Sequence, residues 1–158
     1  MIVPAEFDAV LAAPFGAIGV RTEDEVITEI TFLPPGTKPV APKNALAVRT
    51  AAQLAAYLAN PQTRFDLPLK PAGTAFQRNV WQVIAAISSG RTLSYGEIAR
   101  KLKSAPRAVG QACSRNPYPL VVPCHRVVGA GGLGGFAHAR SGYLLDTKRW
   151  LLAHEGTL

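Results

Sequence analysis

Cysteine is scarce in this chain: of 158 residues only Cys113 and Cys124 carry a thiol. Two cysteines exclude a small secreted scaffold stapled by several disulfides, and they exclude a four-cysteine zinc site. A long hydrophobic run is also missing. The longest uncharged apolar stretch, residues 9–20, has 12 residues and contains Pro14, whereas a membrane helix needs about 20. The first ten residues lack a basic segment and are interrupted by Glu6 and Asp8, unlike a secretory signal. There is no internal repeat and no low-complexity tract. These absences lead to the expectation of a soluble, cytoplasmic protein with reduced thiols, no metal and no membrane contact. What is there is a globular composition, 48% hydrophobic and 17% charged. A chain of this length can bury about two thirds of its unfolded surface, enough to fold without a disulfide or metal.

Acidic residues are scarce in one half only. Residues 71–158 carry eleven Lys and Arg against Glu97, Asp146 and Glu155, a net of +8, while residues 1–70 carry six basic and seven acidic side chains, a net of −1. A positive excess confined to one half points to a localised phosphate-binding face, with scattered surface charge as the plain alternative.

The two halves also differ in pattern, which predicts an α+β chain with domains at 1–70 and 71–158. In the first, residues 7–12, 17–21 and 26–32 read as short strands, with Glu23-Asp24 as a hairpin turn and Leu33-Pro34-Pro35-Gly36 as a stop. Asn44 caps a helix running to Ala59, and Pro61 lies beyond its end. Residues 65–69 read as a further strand, placed at an edge or in a linker by Pro68 and Pro71. The second half is mostly helical. Thr74 caps a helix whose stripe is Phe76, Val80, Val83, Ile84 and Ile87, with Gly90 as its stop. Ser94 starts another with Glu97 completing a capping box, and Ser104 caps a third with Pro106 in its first turn. Two short helices across a tight break suggest a helix-turn-helix. A last helix spans residues 144–154.

The segment Asn116-Pro-Tyr-Pro-Leu-Val-Val-Pro-Cys-His-Arg-Val-Val-Gly129 carries the chemistry. Three prolines stiffen the approach, and Pro123 delivers Cys124 beside His125 and Arg126. Positive neighbours favour the thiolate, so the spacing predicts a nucleophile with a lowered pKa. Most lone cysteines are ordinary buried thiols. The proline frame and the Cys-His-Arg order move Cys124 out of that class, and Cys113, mid-helix, stays in it as a packing residue.

Pro123-Cys-His-Arg-Val127 with Asn116-Pro117 resembles the active-site signature of the O6-alkylguanine-DNA alkyltransferases. The resemblance runs from about Gly73 to Gly156. It includes Phe76-Gln77, Val80-Trp81, Ser94-Tyr-Gly-Glu-Ile-Ala99, Pro106-Arg-Ala-Val-Gly110 and Trp150-Leu-Leu-Ala-His-Glu-Gly156. It implies a ribonuclease H-like first domain, then a winged helix-turn-helix, acting as a monomer without cofactor or obligate protein partner. It implies double-stranded DNA containing alkylated guanine as substrate. The base is flipped, because its reactive carbon is otherwise inside the stack. The alkyl group, from O6-alkylguanine or O4-methylthymine, then passes irreversibly to Cys124.

The resemblance assigns roles residue by residue. His125 accepts the thiol proton through a water, Glu155 orients His125, and Asn116 holds the active-site turn. Tyr95 protonates the leaving guanine and steers the phosphate. Arg107 fills the gap left by the flipped base. Ala108 and Gly110 allow close approach to the duplex, with Arg115 at the same helix. The base pocket comprises Tyr95, Cys124, Val127 and Phe136, and the carbonyls of Cys124 and Val127 read the guanine amino group. Ala137 stands where some members carry a serine donor. That leaves the donor to Ser141 or a backbone amide, or shifts the alkyl-group preference. Three competing readings are separable. A non-catalytic damage-binding relative would lack the cysteine. A methylation sensor would need a further DNA-binding domain, for which 158 residues leave no room. A thiol hydrolase would need a histidine distant from the cysteine and no helix-turn-helix.

Overall fold

The structure is a computed structural model that describes residues 6–134 and 142–158. It divides into two compact units, Met1–Pro71 and Ala72–Leu158, and the whole is α+β. Among the described residues no helix is long and apolar enough to cross a membrane.

In the first unit, β1 (Ala9–Ala13), β2 (Gly16–Glu23) and β3 (Val26–Leu33) form an antiparallel sheet in the order β1-β2-β3. Val20 pairs with Ala9 on one side and Ile30 on the other. Ile18, Val20, Ile27 and Ile30 are fully buried, as are Leu54 and Tyr57 of helix α1 (Ala45–Ala59), which packs on β1 and β2. Each such aliphatic side chain contributes about 1.5–3 kcal/mol. Asn44 caps α1, its side chain accepting from the amide of Ala47 at 2.8 Å.

Two expectations for this unit need correction. The hairpin turn is Asp24-Glu25, with Asp24 at φ 54°. A short polar side chain tolerates that left-handed backbone. Residues 65–69 form no strand. They contribute a single bridge, in which Pro68 O accepts from Ile27 N and Lys70 N donates to Ile27 O. Pro68 has no N–H to extend a ladder, and the amide of Asp66 is taken by the side chain of Gln53.

The second unit holds α2 (Ala75–Ala85), β4 (Leu93–Ser94), α3 (Tyr95–Leu102), α4 (Pro106–Ser114), a one-turn 3-10 helix (Cys124–Arg126), β5 (Val127–Val128) and α5 (Tyr143–His154). Val80 and Ile84 of α2 are buried, and Trp81 donates from its indole to Ala112 O of α4 at 2.9 Å. That bond fixes α2 against the last turn of α4. Helix α2 ends at Ala85, before Gly90, and Ile87 stays buried as the chain leaves it.

Ser94 and Glu97 form the capping box at α3. Ser104 does not cap α4. The capping position is Ala105, with no side-chain bond, and Pro106 occupies the first helical position. A proline there removes one of the orphan amides that a cap would otherwise serve. β4 and β5 pair in parallel, Leu93 with Val127 and Ser94 with Val128. This pairing sets the start of α3 beside the residues that follow Cys124.

Candidate active site

Asn116 builds the turn that presents the thiol. Its Oδ1 accepts from Tyr118 N at 2.9 Å, and its Nδ2 donates to Val122 O at 2.8 Å and to Cys124 Sγ at 3.2 Å. Val122 N donates to Tyr118 O, Cys124 N to Val122 O, and Leu120 sits at φ 76°. One side chain therefore satisfies both ends of the proline-rich turn and touches the sulfur. Cys124 is 4% exposed.

Three charged or titratable side chains lie behind it. His125 Nε2 and Glu155 Oε2 are 2.9 Å apart, and both residues are buried. Arg126 donates from Nε to Glu155 Oε1 and from Nη2 to Oε2, both at 2.8 Å, and from Nη1 to Ile87 O. A forked guanidinium pairing of this kind matches an ionised carboxylate. A carboxylate only accepts, so the histidine proton sits on Nε2. His125 Nδ1 is buried and finds no hydrogen-bond partner among the described residues. Burial lowers the His125 pKa, against the opposing pull of Glu155. The imidazole is therefore neutral at neutral pH, with a bare nitrogen lone pair inside the protein.

Tyr95 opens α3 next to this turn. A Cβ on Gly134, at φ +74°, would meet Tyr95 Cε2 and Gly129 N at 3.1 Å each, so only glycine fits there. On its other side the ring faces Gly110 of α4. Lys148 of α5 is 0% exposed, lies 5.8 Å from the Tyr95 ring centroid and donates to Val127 O at 2.8 Å. Burial, with the two thiols adding to it, keeps the Tyr95 phenol protonated. Burial pushes Lys148 down to about 8, while Cys113 and Cys124 favour its charged form.

The thiol itself departs from expectation. The hydrogen bond with the Cys113 thiol and burial push Cys124 up, and the Asn116 bond and the Lys148 charge oppose them. The expected lowering by His125 and Arg126 does not occur. His125 is neutral, and the charge of Arg126 is spent on Glu155. A deeply buried thiol of this kind needs a base before it can act as a nucleophile.

The family pattern described as 6-O-methylguanine DNA methyltransferase, DNA binding domain, matches residues 75–157. The methylated-DNA–protein-cysteine methyltransferase of Methanosarcina acetivorans is 41% identical over 157 residues, covering 94% of this chain and 97% of that protein. This chain belongs to the 6-O-methylguanine DNA methyltransferase family. The crystal structure of the Mycobacterium tuberculosis O6-methylguanine methyltransferase is similar at 36% identity and a TM-score of 0.77, covering 92% of this chain and 90% of that one. The same organism's protein in complex with DNA gives 36% identity and a TM-score of 0.78, over 94% and 92%.

Within this methyltransferase, Cys124, His125, Glu155 and Asn116 lie in one connected cluster, with Tyr95 adjoining it through Lys148. Arg107 and Arg115 are exposed on and just beyond α4, Ala108 is half-buried, and Gly110 packs on Tyr95. Val127 is buried, and its carbonyl already accepts from Lys148, while Cys124 O accepts from Val127 N. Each carbonyl keeps a second lone pair. Phe136, Ala137 and Ser141 lie outside the described residues. Sequence reasoning missed Lys148, Arg126 as the clamp on Glu155, and Cys113 as a neighbour of Cys124. A lysine one helical turn before the apolar pair Leu151-Leu152 was the available signal for the first.

Proposed function

We propose that this chain repairs DNA by direct reversal, with Cys124 as the alkyl acceptor. The observation that carries the reading is the buried Cys124–His125–Glu155 cluster with a neutral imidazole whose Nδ1 is unpartnered. A bridging water carries the thiol proton to Nδ1, and Glu155, clamped by Arg126, stabilises the imidazolium that forms. The sulfur then attacks the alkyl carbon of O6-alkylguanine, the S–C bond forms and the C–O6 bond breaks. Tyr95, held as a phenol, gives its proton to the leaving guanine. The product is a thioether, so each chain acts once.

The duplex is bound by α3 and α4 as a winged helix-turn-helix, and the first unit has a ribonuclease H-like fold. Arg107 enters the stack in place of the flipped base, where a planar guanidinium is suited to stacking. Arg115 holds phosphate, and the half-buried Ala108 and Gly110 keep the helix close to the duplex. The carbonyls of Cys124 and Val127 read the guanine amino group through their second lone pairs. Two unlinked thiols fit work in a reducing cytoplasm. The test is intact mass after incubation with O6-methylguanine duplex. One methyl group per chain, mapped to Cys124, is expected. Methyl on any other residue, or full transfer by Cys124→Ser, removes Cys124 from the acceptor role.

A further inference from the structure

Among the described residues, three that are not glycine hold a left-handed backbone: Asp24, Lys103 and Leu120. Asp24 is of a residue type that tolerates it, and Leu120 is buried in the turn that Asn116 ties down. Lys103 has neither reason. It is exposed, at φ 55° and ψ 48°, where α3 ends and the break before α4 begins. Its amide donates to Arg100 O, and Ser104 N donates to Ala99 O at 2.9 Å. That pair of bonds defines a helix ending whose left-handed position glycine fills best, because a Cβ there crowds the backbone.

Charge works in the same direction. Arg100, Lys101 and Lys103 fall within four positions, and all three are exposed. No acidic residue lies between Glu97 and Asp146. Glu97 is turned back to Ser94 N in the capping box, and Asp146 pairs with Arg149. Among the described residues none of the three cations has an ion pair. A helix C-terminus favours a cation, but Arg100 and Lys101 already fill the last turn of α3. A third cation, on a strained backbone, destabilises the free protein through repulsion as well as through conformation. Strain of this kind persists at positions that serve a ligand.

We propose that Lys103 is a phosphate-binding residue for the duplex, retained at the α3–α4 break in a conformation that glycine would hold more stably. The proposal rests on the reading of α3 and α4 as the duplex-binding pair. A lysine ammonium is a compact charge on a flexible stem, so it meets a backbone phosphate and reads no base. Lys103 stands four positions before Arg107. It therefore anchors the strand at the break while Arg107 enters the stack. A bound phosphate also relieves the crowding of the three cations.

The experiment compares the full chain with Lys103→Gly, which removes both the strain and the charge, and with Lys103→Met, which removes the charge and keeps the Cβ. Lys103→Arg restores the charge. Each is measured in urea melts, in binding to undamaged duplex across a salt series, and in transfer from free O6-benzylguanine. Lys103→Gly should raise the urea midpoint. Both neutral variants should bind duplex more weakly, with the slope of log affinity against log salt lower by about 0.9. From about 50 to about 200 mM salt, the wild-type advantage in affinity should then shrink about 3.5-fold. Lys103→Arg should keep the wild-type slope, and all variants should take the benzyl group at the wild-type rate. A wild-type slope in both neutral variants would overturn the proposal for Lys103 alone. A lower urea midpoint for Lys103→Gly would overturn it as well, because the lysine would then be a stabilising cap. Duplex binding by wild type that does not respond to salt would overturn the helix-turn-helix reading, and the place of Lys103 with it.

Discussion

At the scale of single residues, the site depends on which groups stay neutral. Burial depresses the pKa of His125, so it is a free base at neutral pH. The thiol of Cys124 is raised, so it is the proton donor. His125→Ala and Glu155→Gln should each slow transfer to Cys124 by about 10²–10⁴-fold at neutral pH. The deficit should shrink as pH rises, because solvent then deprotonates the thiol unaided. A pH–rate profile with free O6-benzylguanine checks this, and parallel profiles for wild type and variants would return both residues to structural roles. Lys148 adds a second pH effect. Its folded pKa of about 8 lies below the ordinary 10.5. Between those values the unfolded chain binds more protons, so stability rises with pH there, by at most about 3 kcal/mol. Below pH 8 the lysine is charged in both states and the burial penalty is present in full. Lys148→Met should lack that rise in urea melts compared across the window. It should also move the acid limb of the transfer profile to higher pH, because a cation that favours the Cys124 thiolate is gone.

At the scale of elements, local chemistry decided where most helices begin, and local backbone bonds close the ends of α1, α3 and α5. Ser94 meets the amide of Glu97 at 3.0 Å, whereas Ser104 serves no cap because Pro106 already occupies the first turn of α4. Ser94→Ala should therefore cost about 1 kcal/mol of unfolding free energy. Ser104→Ala should fall within about 0.5 kcal/mol of wild type. Denaturant midpoints read both. The starts of α1, α2 and α3 were legible because Asn44, Thr74 and Ser94 act within three residues of themselves. The pairing of β4 with β5 was not legible. Two residues on each side carry no period, and they meet across 34 positions of chain.

At the scale of the whole molecule, the basic excess of residues 71–158 is not all surface. Arg126 and Lys148 are buried and engaged within the protein, whereas Arg107 and Arg115 are exposed. Binding to undamaged duplex should weaken steeply with salt. Neutralising Arg115 should reduce the slope of log affinity against log salt by about 0.9 if it meets one phosphate, and Lys148→Met should leave the slope unchanged. Arg107→Ala should slow repair of duplex more than transfer from free O6-benzylguanine, because a free base needs no extrusion. Equal losses on both substrates would argue against a place for Arg107 in the stack.

Sequence alone determined the elements whose causes are local: the short strands around Ile18 and Ile30, the capped helices, and the proline-framed Cys124-His125 pair. It also carried the family signature. The protonation pattern came only with the tertiary structure. Adjacent Cys, His and Arg suggest an activated thiolate. The fold instead commits Arg126 to Glu155, strips water from His125 and sets Cys113 against Cys124. Charge and solvent exposure are properties of neighbours distant in the chain. Glu155 lies 30 positions from His125 and Lys148 lies 21 from Val127, and no local pattern encodes such pairings.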